Sequence, residues 1–274
     1  MSVVSAFLVP ASPLPWVRRD NAPWGAIADA LDTAGQALAA SKPGTIVVYS
    51  TQWIAVLDQL WQTKHRLVDT HVDENWHEYG DLPFDITIDT DLAEAAVVAT
   101  NESGIKSKGV NYDKFPIDTG TIVAANFLNP GNERPLVITS NNVYHDWEMT
   151  QTLGRVAAEQ AEKLGRRIAV VGVGGLSGSY FRHTIDIADD RIASESEDQW
   201  NRKILSLMEQ GDMDELLALC PTYAAEARVD MGFKHFAFLL GALGGSFTNA
   251  TVHGYGPLYG AGAGVVQFHA GSAG

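Results

Sequence analysis

Cysteine is almost missing from this chain of 274 residues: Cys220 stands alone. One thiol cannot form an intrachain disulfide, so no disulfide framework holds the fold, and a reducing cytoplasm suits the protein. Cys220 closes the apolar run Leu216-Leu217-Ala218-Leu219 just before Pro221, at an expected helix end, and reads as a small core residue. Long apolar runs are missing too. None approaches the roughly 20 residues that a membrane-spanning helix needs. The first apolar stretch has no basic residues ahead of it, and Pro10, Pro13 and Pro15 cut it short, so it reads as a first strand rather than a secretion signal. Positive charge is scarce: 19 Lys and Arg face 33 Asp and Glu, a formal net charge of −14. With no basic cluster to offset it, such a surface repels phosphate backbones and excludes nucleic acid as a partner.

What is present is ordinary globular composition, 46% hydrophobic and 19% charged, in a chain long enough for one large α/β domain. No internal repeat, low-complexity block or linker divides it, so one domain is expected over 1–274. Residues 3–9 and 45–50 are apolar and rich in β-branched side chains, as strands covered on both faces are. A helix is expected over 24–41, started by Asn21 and Pro23. A helix over 54–61, a loop-rich stretch over 62–90, a helix over 91–103 and strands over 120–127 and 136–140 follow. A long helix over 146–164 ends at Gly165. Beyond it come a strand over 167–173, helices over 195–210, 213–219 and 232–243, and paired strands within 248–269. This order predicts an α/β fold: a single domain with a mixed, mostly parallel central sheet flanked by helices.

Two segments at strand ends carry the most information. Pro10-Ala11-Ser12-Pro13 follows the first strand and Tyr49-Ser50-Thr51-Gln52-Trp53 the second, where α/β sheets place their chemistry. Later come Phe115-Pro116-Ile117-Asp118-Thr119-Gly120-Thr121, then Gly174-Gly175-Leu176-Ser177-Gly178, and a last helix closing on Gly241-Ala242-Leu243. In this order, over most of the chain, these segments resemble the class III extradiol ring-cleaving dioxygenases, the protocatechuate 4,5-dioxygenase-like superfamily. The resemblance implies an iron-binding His at each strand end, where this chain has Ala11 and Gln52. It implies a His beside the oxygen site in an Asp-His-Gly turn, where this chain has Thr119. It implies a catalytic base in a Gly-[Leu/Met]-Ser-His motif, where this chain has Gly178. The family's carboxylate ligand comes shortly before the last helix; Asp230 is near that place but not at the expected spacing.

A non-haem iron that activates dioxygen needs two neutral imidazoles and a carboxylate on one face. Alanine has no donor atom, and the neutral amide of glutamine binds iron poorly beside imidazole. Four histidines missing together fit a subunit whose partner keeps the iron. Within the superfamily, the 2-aminophenol-cleaving group is built from related α and β chains with iron only in β. This chain is similar to α in length and in its opening, Phe7-Leu8-Val9-Pro10-Ala11-Ser12-Pro13-Leu14-Pro15. The resemblance therefore implies no catalytic, cofactor-binding or metal-binding residue here, Fe(II) in a homologous β partner, and an α2β2 assembly. The complex would open 2-aminophenol or a substituted relative, such as a chloroaminophenol, between the amine-bearing carbon and its unsubstituted neighbour, giving an aminomuconic semialdehyde.

Other readings compete. His71-Val72-Asp73-Glu74-Asn75-Trp76-His77 puts two imidazoles and two acids in seven residues. Its His spacing is not that of a zincin helix, so it is either a polar loop, a metal site of a self-sufficient enzyme using His71 and His77, or part of an interface. A stand-alone protein that binds a small aromatic on the same fold is a further alternative. His183 and His235 read as hydrogen-bonded structural residues, and His253 lies in a strand-like pattern that points to no partner. Asp146 reads as a helix N-cap. The loop from Gly172 to Gly178 has the wrong glycine spacing for a nucleotide, and no helix is expected after it to receive a phosphate. Ser177 lacks the second glycine of a nucleophile elbow. The aromatic stretches 75–79 and 255–259 are either core or partner contact.

Overall fold

The computed structural model describes residues 2–270. The first half of the chain runs β1 (Val3–Val9), α1 (Leu14–Val17), α2 (Ala22–Ala40), β2 (Thr45–Ala55), β3 (Gln59–Gln62), β4 (Arg66–His71), β5 (Leu82–Thr87), α3 (Thr90–Glu102), β6 (Ser107–Val110) and α4 (Thr119–Leu128). The second half runs β7 (Leu136–Asn142), α5 (Trp147–Lys163), β8 (Ile168–Val173), α6 (Glu195–Gln210), α7 (Met213–Glu226), α8 (Lys234–Ala242), β9 (Asn249–Leu258) and β10 (Ala261–His269). Eight strands form one mixed sheet in the order β6-β3-β7-β2-β8-β1-β10-β9, while β4 and β5 pair antiparallel apart from it. The central strands β7, β2, β8 and β1 are parallel, and β10 and β9 close one edge antiparallel. β7 and β8 are buried along their whole length, as strands with helices on both faces must be. α8 packs on the centre of the sheet together with α5, and α4 packs on it together with α2. The α/β architecture with a mostly parallel mixed sheet is thus the one expected.

Several elements differ from expectation, each for a physical reason. Residues 120–127 are helix α4, not a strand. The segment from Thr119 to Ala124 is buried on every side, so no period marks it as helical. The deciding residue is Asp118, whose side chain caps the helix at Thr121 N. Residues 54–61 are not helical. β2 runs on to Ala55 and β3 follows, and the apolar side chains that suggest a helix, Ile54, Val56 and Leu57, are exposed. β2 also carries a bulge: Tyr49 pairs with Thr139 and Ile54 with Asn141, five steps against two. That bulge takes Ser50–Trp53 out of the pairing with β7, while Ser50 still pairs with Val173 of β8, a device common beside functional sites. The stretch 62–90 holds β4 and β5, paired from Arg66↔Thr87 to His71↔Leu82. α7 continues past Cys220 and Pro221 to Glu226. α8 starts only at Lys234, because Met231, Gly232 and Phe233 take positive φ angles of 45°, 66° and 66°.

Candidate functional site

Three neighbouring parallel strands, β2, β8 and β1, end at the same edge of the sheet, and the N-terminus of α4 points to that edge. Their ends enclose a cavity of about 990 Å³. Ala11, Gln52, Thr119 and Gly178, far apart in sequence, all line it. The parallel order of the strands causes this convergence, since connections between parallel strands return every carboxyl end to one side. Gly174 N donates to Val9 O at 2.9 Å and ties two of these ends together.

At the first position, Ala11 is buried and packs against the bare backbone of Gly120. A Cβ built on Gly120 would lie 2.9 Å from the Ala11 methyl and 2.9 Å from Ser50 Oγ. At the second, Gln52 sits on the β2 bulge and its Oε1 accepts from Gly120 N at 2.8 Å. Asp118 accepts from Thr121 N at 2.9 Å, from Thr121 Oγ1 at 2.7 Å and from Ser50 Oγ at 2.5 Å. Gln52 and Asp118 thus satisfy two of the four N–H groups that a helix start leaves unpaired.

At the third position, Thr119 Oγ1 donates to Asp73 Oδ2 at 2.9 Å and lies 2.8 Å from His71 Nε2. With the hydroxyl proton directed at Asp73, the oxygen accepts from Nε2–H, and the hydrogen-bond pattern assigns the free lone pair of His71 to Nδ1. Asp73 is held in turn by Asn75 N at 2.9 Å and Trp76 N at 3.0 Å. At the fourth, Gly178 N donates to Ala227 O at 3.1 Å, and a Cβ on Gly178 would lie 2.4 Å from Arg228 O. Only a glycine lets the two backbones approach this closely. Arg228 is clamped by buried Glu197, whose Oε1 accepts from Nε at 3.0 Å and Nη2 at 2.7 Å, and which also accepts from Ser179.

Asp230 lies in the same cavity, on the segment between α7 and α8. Its Oδ2 accepts from Thr51 Oγ1 at 2.6 Å and Gly175 N at 3.1 Å. Burial raises its carboxyl above the usual carboxylate range, and those two donors pull it part of the way back.

The seven-residue group from His71 to His77 is not assembled as a metal site. His71 faces the cavity, whereas His77 is exposed and its Nδ1 lies 3.3 Å from Glu74 O. No group of three His, Cys, Asp or Glu is arranged to hold a metal among the described residues. His235 is fully buried and, with both ring nitrogens unpartnered, is not the hydrogen-bonded residue expected; burial pushes its pKa down to about 3. His253 does have a partner, Gln267 Oε1, 3.1 Å away across β9 and β10. Asp146 caps α5 at Met149 N, as expected. No helix follows the loop from Gly172 to Gly178 until the short turn Ile187–Asp189, which removes the phosphate-binding reading. The two aromatic stretches meet each other: Trp76 stacks with Tyr79 at 6.0 Å and meets Tyr259 edge-on at 5.1 Å. Sequence reasoning left Asp230 in doubt, named Asp73 only as an acid of the His71–His77 group, and gave Thr51 and Arg228 no role; their polar contacts span 31 to 179 residues and leave no local signal.

Comparison with known proteins identifies the family. A family described as the catalytic LigB subunit of aromatic ring-opening dioxygenase matches residues 13–266. The chain is 52% identical over 269 residues to the 2-aminophenol 1,6-dioxygenase alpha subunit of a Pseudomonas species, covering 98% of this chain and 99% of that one. It is 25% identical over 288 residues to the beta subunit of 2-aminophenol 1,6-dioxygenase, also from Pseudomonas, with 97% and 94% covered. It is 20% identical over 225 residues to the 3,4-dihydroxyphenylacetate 2,3-dioxygenase of Escherichia coli, with 78% and 79% covered. The crystal structure of an uncharacterized protein of Escherichia coli K12 has the same fold, with a TM-score of 0.65 at 16% identity over 96% of this chain and 98% of that one. No helix among the described residues is long and apolar enough to cross a membrane.

Proposed function

The chain belongs to the LigB family of aromatic ring-opening dioxygenases, and on that premise we propose that it is the iron-free α subunit of a two-chain enzyme. The complex opens the ring of 2-aminophenol or a substituted relative with O2, and the homologous β chain holds the Fe(II). The assembly is an α2β2 heterotetramer in the cytoplasm, and the aminophenol binds for reaction in β. One observation carries this reading: the side chain that stands where an iron ligand is expected is already consumed, since Gln52 Oε1 accepts from Gly120 N.

The residues at the site do not fit a ferrous ion. Ala11 has no donor atom, Gln52 offers a neutral oxygen that caps a helix, and no imidazole joins Asp230 to complete two nitrogens and one carboxylate on one face. Gly178 cannot carry a base, because the backbone of Arg228 occupies the room that a side chain needs. The chain's own contribution is therefore structural: it supports β and shapes the surface around β's pocket. The self-sufficient metalloenzyme loses its basis with His77, which is exposed and does not line the cavity that His71 faces.

The test is iron content and ring-cleavage activity of this chain expressed alone, then co-expressed with a β-type homologue. No iron and no turnover alone, with both present in a stable complex of two chains of each kind, is the expected result. Stoichiometric iron and turnover in the chain alone would overturn the proposal.

A further inference from the structure

The two most exposed large apolar side chains among the described residues sit at one corner of the sheet: Leu57, 83% exposed, and Tyr144, 78%. Leu57 follows the end of β2 and Tyr144 the end of β7. Those ends are neighbours, since Ala55 pairs with Asn142 and Val143 N donates to Ala55 O at 3.0 Å. Ile54, Val56 and Val143 are exposed beside them, so five apolar side chains form one ridge. Single exposed apolar residues need no explanation, but a contiguous group on a folded chain marks a contact surface. Residues 51–57 and 139–144 carry no charged side chain, although 19% of the chain is charged. Lys234, which reaches this corner, is spent on Asn142 O at 2.9 Å. Apolar side chains with an aromatic and without charge are the composition of an interface core.

The two ends of the ridge differ in sign. Ile54 reaches the cavity, whose lining sets Asp73, Glu74, Asp118 and Asp230 against Arg182 and Arg228, and Arg228 is spent on Glu197. That end is acidic. At the other end, Asp58 follows Leu57 and lies 2.9 Å from Lys106 Nζ and 2.8 Å from Lys108 Nζ. Two cations on one carboxylate leave that end positive. A half-turn about an axis through the ridge lays apolar on apolar and sets each acidic end over the other copy's basic end. Such self-complementarity is what a two-fold contact between identical chains requires. Elsewhere two copies, each at −14, repel one another.

We infer that this ridge is the contact between two copies of this chain, paired about a two-fold axis with Leu57 and Tyr144 at its centre. A second copy is the occupant because both halves of the charge match lie on this chain. The inference adds a like-with-like contact to the proposed assembly and does not rest on it.

Sedimentation velocity of the full chain alone, from low micromolar to submillimolar concentration, tests this. A reversible dimer is expected. Leu57→Asp and Tyr144→Asp each put a charge into the apolar contact and should weaken the dimer by about tenfold or more. Both side chains are exposed in the single chain, so circular dichroism should stay that of the unaltered protein; if one variant does not fold, the other decides. Val98→Asp, at an exposed apolar position on α3, is the control and should dimerise like the parent. Glu74→Lys makes the chain less acidic, which would favour dimerisation if net charge governed it. Here it should weaken the dimer severalfold, because an acidic end loses its match. A monomer at every concentration, undiminished dimerisation of the folded Asp variants, or a Glu74→Lys dimer as tight as the parent would overturn the inference. Leu57→Asp should still form a stable complex with a β-type homologue; loss of that complex would assign the ridge to β and overturn it too. Failure of the unaltered chain to bind β would instead sink the proposed assembly and leave self-pairing standing, so the two readings fail separately.

Discussion

The side-chain oxygen of Gln52 lies 2.8 Å from the backbone nitrogen of Gly120. It caps α4 from β2, which makes a residue that the family resemblance places at a metal position part of the fold. Gln52→Ala should therefore destabilise the chain by about 0.5–2 kcal/mol, the cost of a lost helix cap. Gln52→Glu keeps the acceptor and adds negative charge at a helix start, so it should match or exceed the parent. Urea denaturation of the three chains checks both; equal stability of Gln52→Ala and the parent would show that the contact contributes nothing.

Gly178 allows the loop after β8 to lie against the end of α7. A Cβ there would be 2.4 Å from Arg228 O, so Gly178→Ala must displace one backbone or the other. The cost expected is about 1–3 kcal/mol, that of overpacking a tight site. Introducing a histidine by Gly178→His should cost at least as much and produce no ring cleavage. Thermal unfolding measures the first effect and a turnover assay the second.

Much of the fold is legible in the sequence because its central strands have helices on both faces. β1, β2 and β8 appear as short apolar runs, and the helices α2, α5 and α6 announce themselves through Asn21, Asp146 and amphipathic spacing. α4 is not legible, because a helix buried on every side has no polar face to reveal its period. The β2 bulge is not legible either, since it exists only as a mismatch with β7. The same holds for the site. Ala11, Gln52, Thr119 and Gly178 follow motifs and can be located, whereas the orientation of Asp230 depends on Thr51, 179 residues away, and on positive φ angles imposed by packing.

Cys220 is buried on α7, and burial pushes its thiol up to about 12, well above the ordinary thiol range. The thiolate is the reactive form, so the folded chain should hold about a thousandfold less of it than an exposed thiol does. At mildly alkaline pH a thiol reagent should leave the native chain unmodified and label one cysteine per chain once urea is added. Rapid labelling of the folded chain would place Cys220 at an accessible position and contradict its burial.

His235 gives stability a pH dependence of its own. Its ring is fully buried against Phe233 with no hydrogen-bond partner among the described residues, and burial pushes its pKa down to about 3 from 6.5. Between these values the unfolded chain takes up a proton that the folded chain refuses. The neutral ring thus contributes fully above about pH 6.5, and its contribution is lost as pH falls from there toward 3. The slope is at most ~1.4 kcal/mol per pH unit. His235→Leu removes the titrating group and two unsatisfied polar atoms at similar volume, so at neutral pH it should be as stable as the parent or more so. Urea denaturation of both chains at several pH values isolates the effect, because the carboxylates are common to both. The difference in unfolding free energy between parent and variant should be constant above pH 6.5 and shift steadily in favour of the variant below it. Parallel curves down to pH 4 would mean that His235 is already protonated in the folded chain and has a partner there.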